Sequence, residues 1–117
     1  MIKLGIDYNI SGKCECCNQY YNNVVSWTPR LTYNHIHRYY EVYPEANKGL
    51  KESKTLKELL DILIKICKFF PSTDRNFSEG DYYKDTHKNA SIGINSLLVW
   101  TYINHKKFPN AKVSIWY

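Results

Sequence analysis

The stretch Ile2-Lys3-Leu4-Gly5-Ile6-Asp7-Tyr8-Asn9-Ile10 alternates without a fault. Ile2, Leu4, Ile6, Tyr8 and Ile10 share one side, and Lys3, Gly5, Asp7 and Asn9 share the other. Period-two alternation marks a strand with one face in a core and one in water. Ser11-Gly12-Lys13 breaks the pattern, and a second extended run follows, with Tyr21, Asn23, Val25 and Trp27 on one side, ending before Pro29. The two runs predict an N-terminal hairpin whose loop carries Cys14, Cys16 and Cys17. A third alternation, Val113, Ile115 and Tyr117 against Lys112, Ser114 and Trp116, predicts a last strand. Tyr8, Trp27 and Tyr117 are expected on faces that a sheet core absorbs.

Between these strands the period changes from two to that of a helix. Thr32 or Asn34 can cap a short helix that reaches Tyr43, because the residue before Pro44 avoids helical geometry. Ile36, Tyr39, Tyr40 and Tyr43 fall at helical spacing in it, and residues 45–54 read as a connector. Thr55-Leu56-Lys57-Glu58 is a capping box that opens the clearest helix, 55–70. Its apolar stripe is Leu56, Leu59, Leu60, Leu63, Ile66, Cys67 and Phe70, and Pro71 ends it. Residues 71–90 lack periodicity and read as a long loop. Residues 91–106 return to helix. Ile94, Leu97, Leu98, Thr101 and His105 lie on one side and Ile92, Val99 and Ile103 on the other, which predicts a helix buried almost all round. His105, Lys106 and Lys107 suit the negative end of its dipole.

The expectation is one α+β domain over residues 1–117. It holds a small three-stranded antiparallel sheet, the N-terminal hairpin plus the C-terminal strand, with three helices packed on one face. The two edges of such a sheet open a route to a homo-oligomer.

The chain has 117 residues, 44% hydrophobic and 23% charged, the balance of a globular protein rather than a disordered one. No apolar run approaches the roughly 18 residues of a membrane span. Asp7 falls too early for a secretory leader, so a cytoplasmic, membrane-free protein is expected. The net charge is +5. The basic excess is spread along the chain, with few arginines; the acid-free stretch is 91–117. Nucleic acid is therefore a secondary expectation beside a mildly basic, solvated surface. The unusual feature is 11 Tyr and 3 Trp.

Thr32-Tyr33-Asn34 and Phe108-Pro109-Asn110-Ala111-Lys112-Val113-Ser114-Ile115 resemble a family of small uncharacterised phage and prophage proteins. In that family a Thr-His-Asn or Thr-Tyr-Asn tripeptide opens a helix after an N-terminal strand pair. A Pro-Asp-Ala-like turn precedes its last strand. The family's usual Asn-Gly-Trp-Gly segment is replaced by Lys88-Asn89-Ala90-Ser91. The resemblance implies an α+β fold and a phage accessory gene working in the host cytoplasm. It brings no catalytic or ligand-binding residues.

The sequence offers the residue types of three kinds of site. Cys14 and Cys17 have Cys-x-x-Cys spacing, and His35 and His37 follow; together they have the residue types of a zinc site or a zinc-dependent His-Asn-His-like nuclease. Helical geometry opposes this, because positions i and i+2 point about 200° apart. No metal is therefore expected, and exposed thiols on a hairpin loop are the simpler reading. Cys17 with His35 or His37 has the elements of a thiolate pair, which four Cys and four His also supply by chance. No nucleophile elbow, phosphate loop or His-Glu-x-x-His occurs, so an enzyme is not expected.

The third kind is recognition by aromatics, amides and cations. Tyr33, Asn34, His35, Arg38, Tyr39 and Tyr40 gather at a helix start, whose free N–H groups favour an anion. The long loop adds Arg75, Phe77, Tyr82, Tyr83 and Lys84. The expected ligand-binding set is Tyr33, Asn34, Arg38, Tyr40, Arg75, Tyr82, Tyr83 and Lys84. For each tyrosine alone, core filling with the hydroxyl in water is the competing reading. The functional expectation is a non-enzymatic phage-type accessory protein that inhibits host defence. It would sequester a small nucleotide-derived signal or occlude a host defence protein, with a zinc-dependent His-Asn-His-like nuclease or a single-stranded nucleic-acid-binding protein as the alternative.

Overall fold

A computed structural model describes residues 5–13, 20–22, 31–71 and 86–117. The order of elements is β1 (Gly5–Lys13), β2 (Tyr20–Asn22), β3 (Leu31–Thr32), α1 (Tyr33–Val42), α2 (Ala46–Glu52), α3 (Leu56–Cys67), α4 (His87–Lys107) and β4 (Lys112–Trp116). The fold is α+β. It differs in count from the expected three strands and three helices: four of each stand among the described residues.

β1 is the hub of the sheet and pairs antiparallel with the other three strands. Ser11 pairs with Asn22 of β2 and with Lys112 of β4, so those two strands lie on opposite edges of β1. β3 pairs with Gly5 and Ile6. The alternation reads out as expected over Ile6, Tyr8 and Ile10, which are all buried, while Asp7 and Asn9 are half-exposed. Ser11-Gly12-Lys13 does not end the strand, because β2 and β4 extend the ladder along it. Residues 23–30, the rest of the expected second strand with Trp27, lie outside the described residues.

The core forms where Ile6, Tyr8, Ile10 and Val113 meet apolar side chains from all four helices. From α3 these are Leu56, Leu59, Leu63 and Ile66, followed by Phe70 beyond the helix end. The capping box is real but shifted on one side. Thr55 Oγ1 accepts from Glu58 N–H at 3.1 Å, whereas Glu58 Oε2 accepts from Lys54 N–H, one residue before the cap.

The expected connector at residues 45–54 holds α2 instead. Its carbonyl end is closed by side chains rather than by further helix. With Lys54 N–H turned to Glu58, the Leu50 carbonyl accepts from Tyr8 Oη at 2.7 Å, and Ser53 Oγ donates to the Gly49 carbonyl at 2.5 Å. Gly49 sits where α2 crosses α3, and a β-carbon there would overlap Ile62 Cγ1.

α4 starts at His87, inside the expected 71–90 loop, with Thr86 Oγ1 accepting from Asn89 N–H at 3.1 Å. It is enclosed only over its first part. Asn89 to Ile94 are all buried, whereas Val99 and Ile103, expected inside, are exposed. Three ties hold the enclosed part. Tyr39 Oη donates to the Ala90 carbonyl at 2.8 Å, Asn95 Nδ2 donates to the Phe70 carbonyl at 2.6 Å, and His87 stacks on Phe70 with ring centres 4.9 Å apart. Among the described residues no helix is long and apolar enough to cross a membrane.

Candidate functional site

Helix α1 carries the described part of the expected recognition site, and its geometry divides that site. Tyr39 belongs to the core: it is fully buried, bonded to Ala90, and packed edge-on against Phe70 at 5.1 Å. It is not available to a ligand. Tyr40, one position on, is exposed at 41%. Arg38 is half-buried and already engaged in a contact within the protein. Arg38 and Tyr40 are two positions apart on a helix, hence about 200° apart around its axis. They do not converge on one small ligand from α1 alone. Asn34 lies one turn before Arg38, in line with it along the helix. The side chains of Tyr33 and Asn34, and the whole of Arg75, Phe77, Tyr82, Tyr83 and Lys84, lie outside the described residues.

His35 and His37 are both within α1, the one fully buried and the other half-buried. The helix directs them apart, as the spacing implied. Cys14, Cys16 and Cys17 lie outside the described residues, and among those that are described no three His, Cys, Asp or Glu side chains gather around a metal position. Cys67 packs against the core, where its thiol faces the Ile94 carbonyl at 3.8 Å and burial pushes it up to about 12. A thiol so shifted stays protonated at neutral pH and is a poor nucleophile.

Much of the polar chemistry of the described chain is spent on holding the framework. Tyr8 and Tyr39 serve main-chain carbonyls, and burial raises the Tyr8 phenol well above its ordinary range. Tyr43 Oη donates to Glu45 Oε2 at 2.7 Å, and this bond is the first cause of its own raised phenol. Ser91 Oγ, Trp100 Nε1 and Thr101 Oγ1 on α4 are buried and find no hydrogen-bond partner among the described residues. An open groove between α2 and α3 is lined by Glu45, Lys48, Gly49, Glu52, Ser53 and Glu58.

Ring surface stands out instead at Tyr40, Tyr102, Trp116 and Tyr117, the last two exposed at 62% and 60%. Tyr117 departs from the expected alternation. It follows the end of β4 and turns outward, with Lys51 Nζ 5.7 Å from its ring centre. Trp116 was legible as the outward member of the alternation, but nothing in the pattern marked it as part of a site.

Compared with protein-family models, with curated proteins and with solved structures, the chain matches none.

Proposed function

We propose that this chain acts by binding rather than by turning over a substrate, as an accessory protein of the phage type that blunts host defence. The observation that carries this reading is the division of its side chains. Among the described residues His35, Tyr8 and Tyr39 are buried and Cys67 packs against the core, while flat rings face solvent at Tyr40, Tyr102, Trp116 and Tyr117. Exposed rings beside cations suit stacking and charge recognition. The favoured ligand is a small nucleotide-derived signal. Its phosphate would lie near the start of α1 and Arg38, with its base on a tyrosine. Arg75, Tyr82, Tyr83 and Lys84 complete the proposed set. The defence role itself rests on the resemblance to phage proteins.

The test is nucleotide binding, measured by calorimetry with ATP and a panel of cyclic nucleotides, on the wild type and on a triple variant Arg38→Glu, Arg75→Glu, Lys84→Glu. Binding lost in the variant supports the site; unaltered affinity removes it. A chain that ignores nucleotides yet forms a stoichiometric complex with a host protein would move the reading to occlusion of that protein.

A further inference from the structure

One face of the sheet packs on the helices; the other carries a different chemistry. The β1–β4 register sets three rows across it: Asp7 beside Trp116, Asn9 beside Ser114, and Ser11 beside Lys112. Thr55 adds to the last row through its bridge to Lys112. Asp7, Asn9 and Ser11 are half-exposed, and Lys112, Ser114 and Trp116 are exposed. The stripe therefore has a wide-open indole at one end and an ammonium at the other, with an amide and hydroxyls between them. Lys112 and Trp116 are four residues apart on one side of a strand, roughly 13 Å.

The charge around this stripe has a direction. Residues 91–117 contain three lysines and no Asp or Glu. Lys54 is brought to the outer edge of β4 by the bond from Val113 N–H to its carbonyl, and Lys51 lies over Tyr117. Of the acids nearby, Glu52 and Glu58 line the groove between α2 and α3, and Glu58 is occupied by Lys54 N–H. Asp7 is engaged in a contact within the protein.

We infer that this open sheet face is a platform for single-stranded nucleic acid. Trp116 stacks a base, Asn9 and Ser114 meet polar groups of the neighbouring nucleotide, and Lys112, with Lys54 at the edge, neutralises backbone phosphate. A single strand fits this surface better than a duplex, because only an unpaired base presents its face to the indole. The platform rests on Trp116 and Lys112 rather than on Arg38, Arg75 and Lys84, so either assignment can fail without the other.

Fluorescence anisotropy with a fluorescein-labelled oligo(dT) strand tests the assignment. Trp116→Ala should weaken binding roughly 5- to 150-fold. Lys112→Gln should weaken it and reduce the slope of affinity against salt by about one. Phe69→Ala, which removes an exposed ring beyond the end of α3, should leave affinity unchanged. Circular dichroism checks that each variant is folded. No binding at low salt, a Trp116→Ala protein as tight as wild type, or equal competition by duplex DNA would each overturn the inference.

Discussion

Tyr8 Oη reaches across 42 positions to the carbonyl of Leu50, 2.7 Å away, and so closes the end of a helix from the middle of a strand. The carbonyl needs that donor because Lys54 N–H, its partner had α2 continued, is turned to Glu58. Tyr8→Phe keeps the ring and strands a buried acceptor. The expected loss is about 2 kcal/mol, measured by urea unfolding. A loss below about 0.5 kcal/mol would mean that the Leu50 carbonyl finds another donor.

Tyr39→Phe offers a calibration. It also removes a phenol-to-carbonyl bond, but the Ala90 carbonyl sits inside α4, where the helix supplies its own donor. The expected cost is about 1 kcal/mol, less than for Tyr8→Phe. Tyr39→Ala removes the ring that meets Phe70 as well and should cost roughly 3–5 kcal/mol. The reverse order of the two phenylalanine variants would contradict this difference between a helix end and a helix interior.

Gly49→Ala pits two effects against each other. Alanine gains roughly 1 kcal/mol of helix propensity over glycine. Its β-carbon would overlap Ile62 near the root of a branched side chain that cannot swing clear. Overpacking of this kind costs about 1–3 kcal/mol, so a net loss in the thermal midpoint is expected. Ile62→Ala added to Gly49→Ala should recover part of it relative to Ile62→Ala alone. A plain gain from Gly49→Ala would show that α2 can move away.

Thr101→Val should raise stability. The hydroxyl of Thr101 is buried and finds no partner among the described residues, so its desolvation is uncompensated. Replacing it by a methyl group of similar size should return about 1 kcal/mol, read as a higher urea midpoint. A lower midpoint would indicate that the hydroxyl has a hydrogen-bond partner after all.

Alkaline pH should weaken the fold. Burial pushes the Cys67 thiol up to about 12 and raises the Tyr8 phenol too. Both groups keep their protons longer in the folded chain than in the unfolded one. Stability is therefore fully present below the ordinary thiol range near 9 and declines as pH rises towards 12. The urea midpoint should fall between about pH 9 and pH 12, and Cys67→Ala should shallow the slope. A flat or rising midpoint would show that neither group is held in its neutral form.

What the sequence carried and what it hid follow from how local each signal is. β1 and the Thr55–Glu58 cap are written in neighbouring residues, and both emerge almost as read. α2 was hidden by Gly49, a poor helix former that is needed where α2 meets Ile62. The start of α4 was hidden because Asn89 stands at the third helical position, where a capping box would have Glu or Gln. Tyr39 and Tyr40 are adjacent and alike in sequence; only the packing of α1 on α4 and Phe70 makes one core and the other surface. Trp116 and Lys112 were legible as outward residues of a strand. Their place beside Asp7, Asn9 and Ser11 depends on pairing across about a hundred residues, which no local pattern encodes.

Native mass spectrometry of the protein purified from the cell that expresses it tests the binding account most directly. The account predicts a stoichiometric mass increment in the range of a nucleotide, absent when Arg38, Arg75 and Lys84 are reversed in charge. A chain of bare mass that degrades plasmid DNA when divalent metal is added would contradict it.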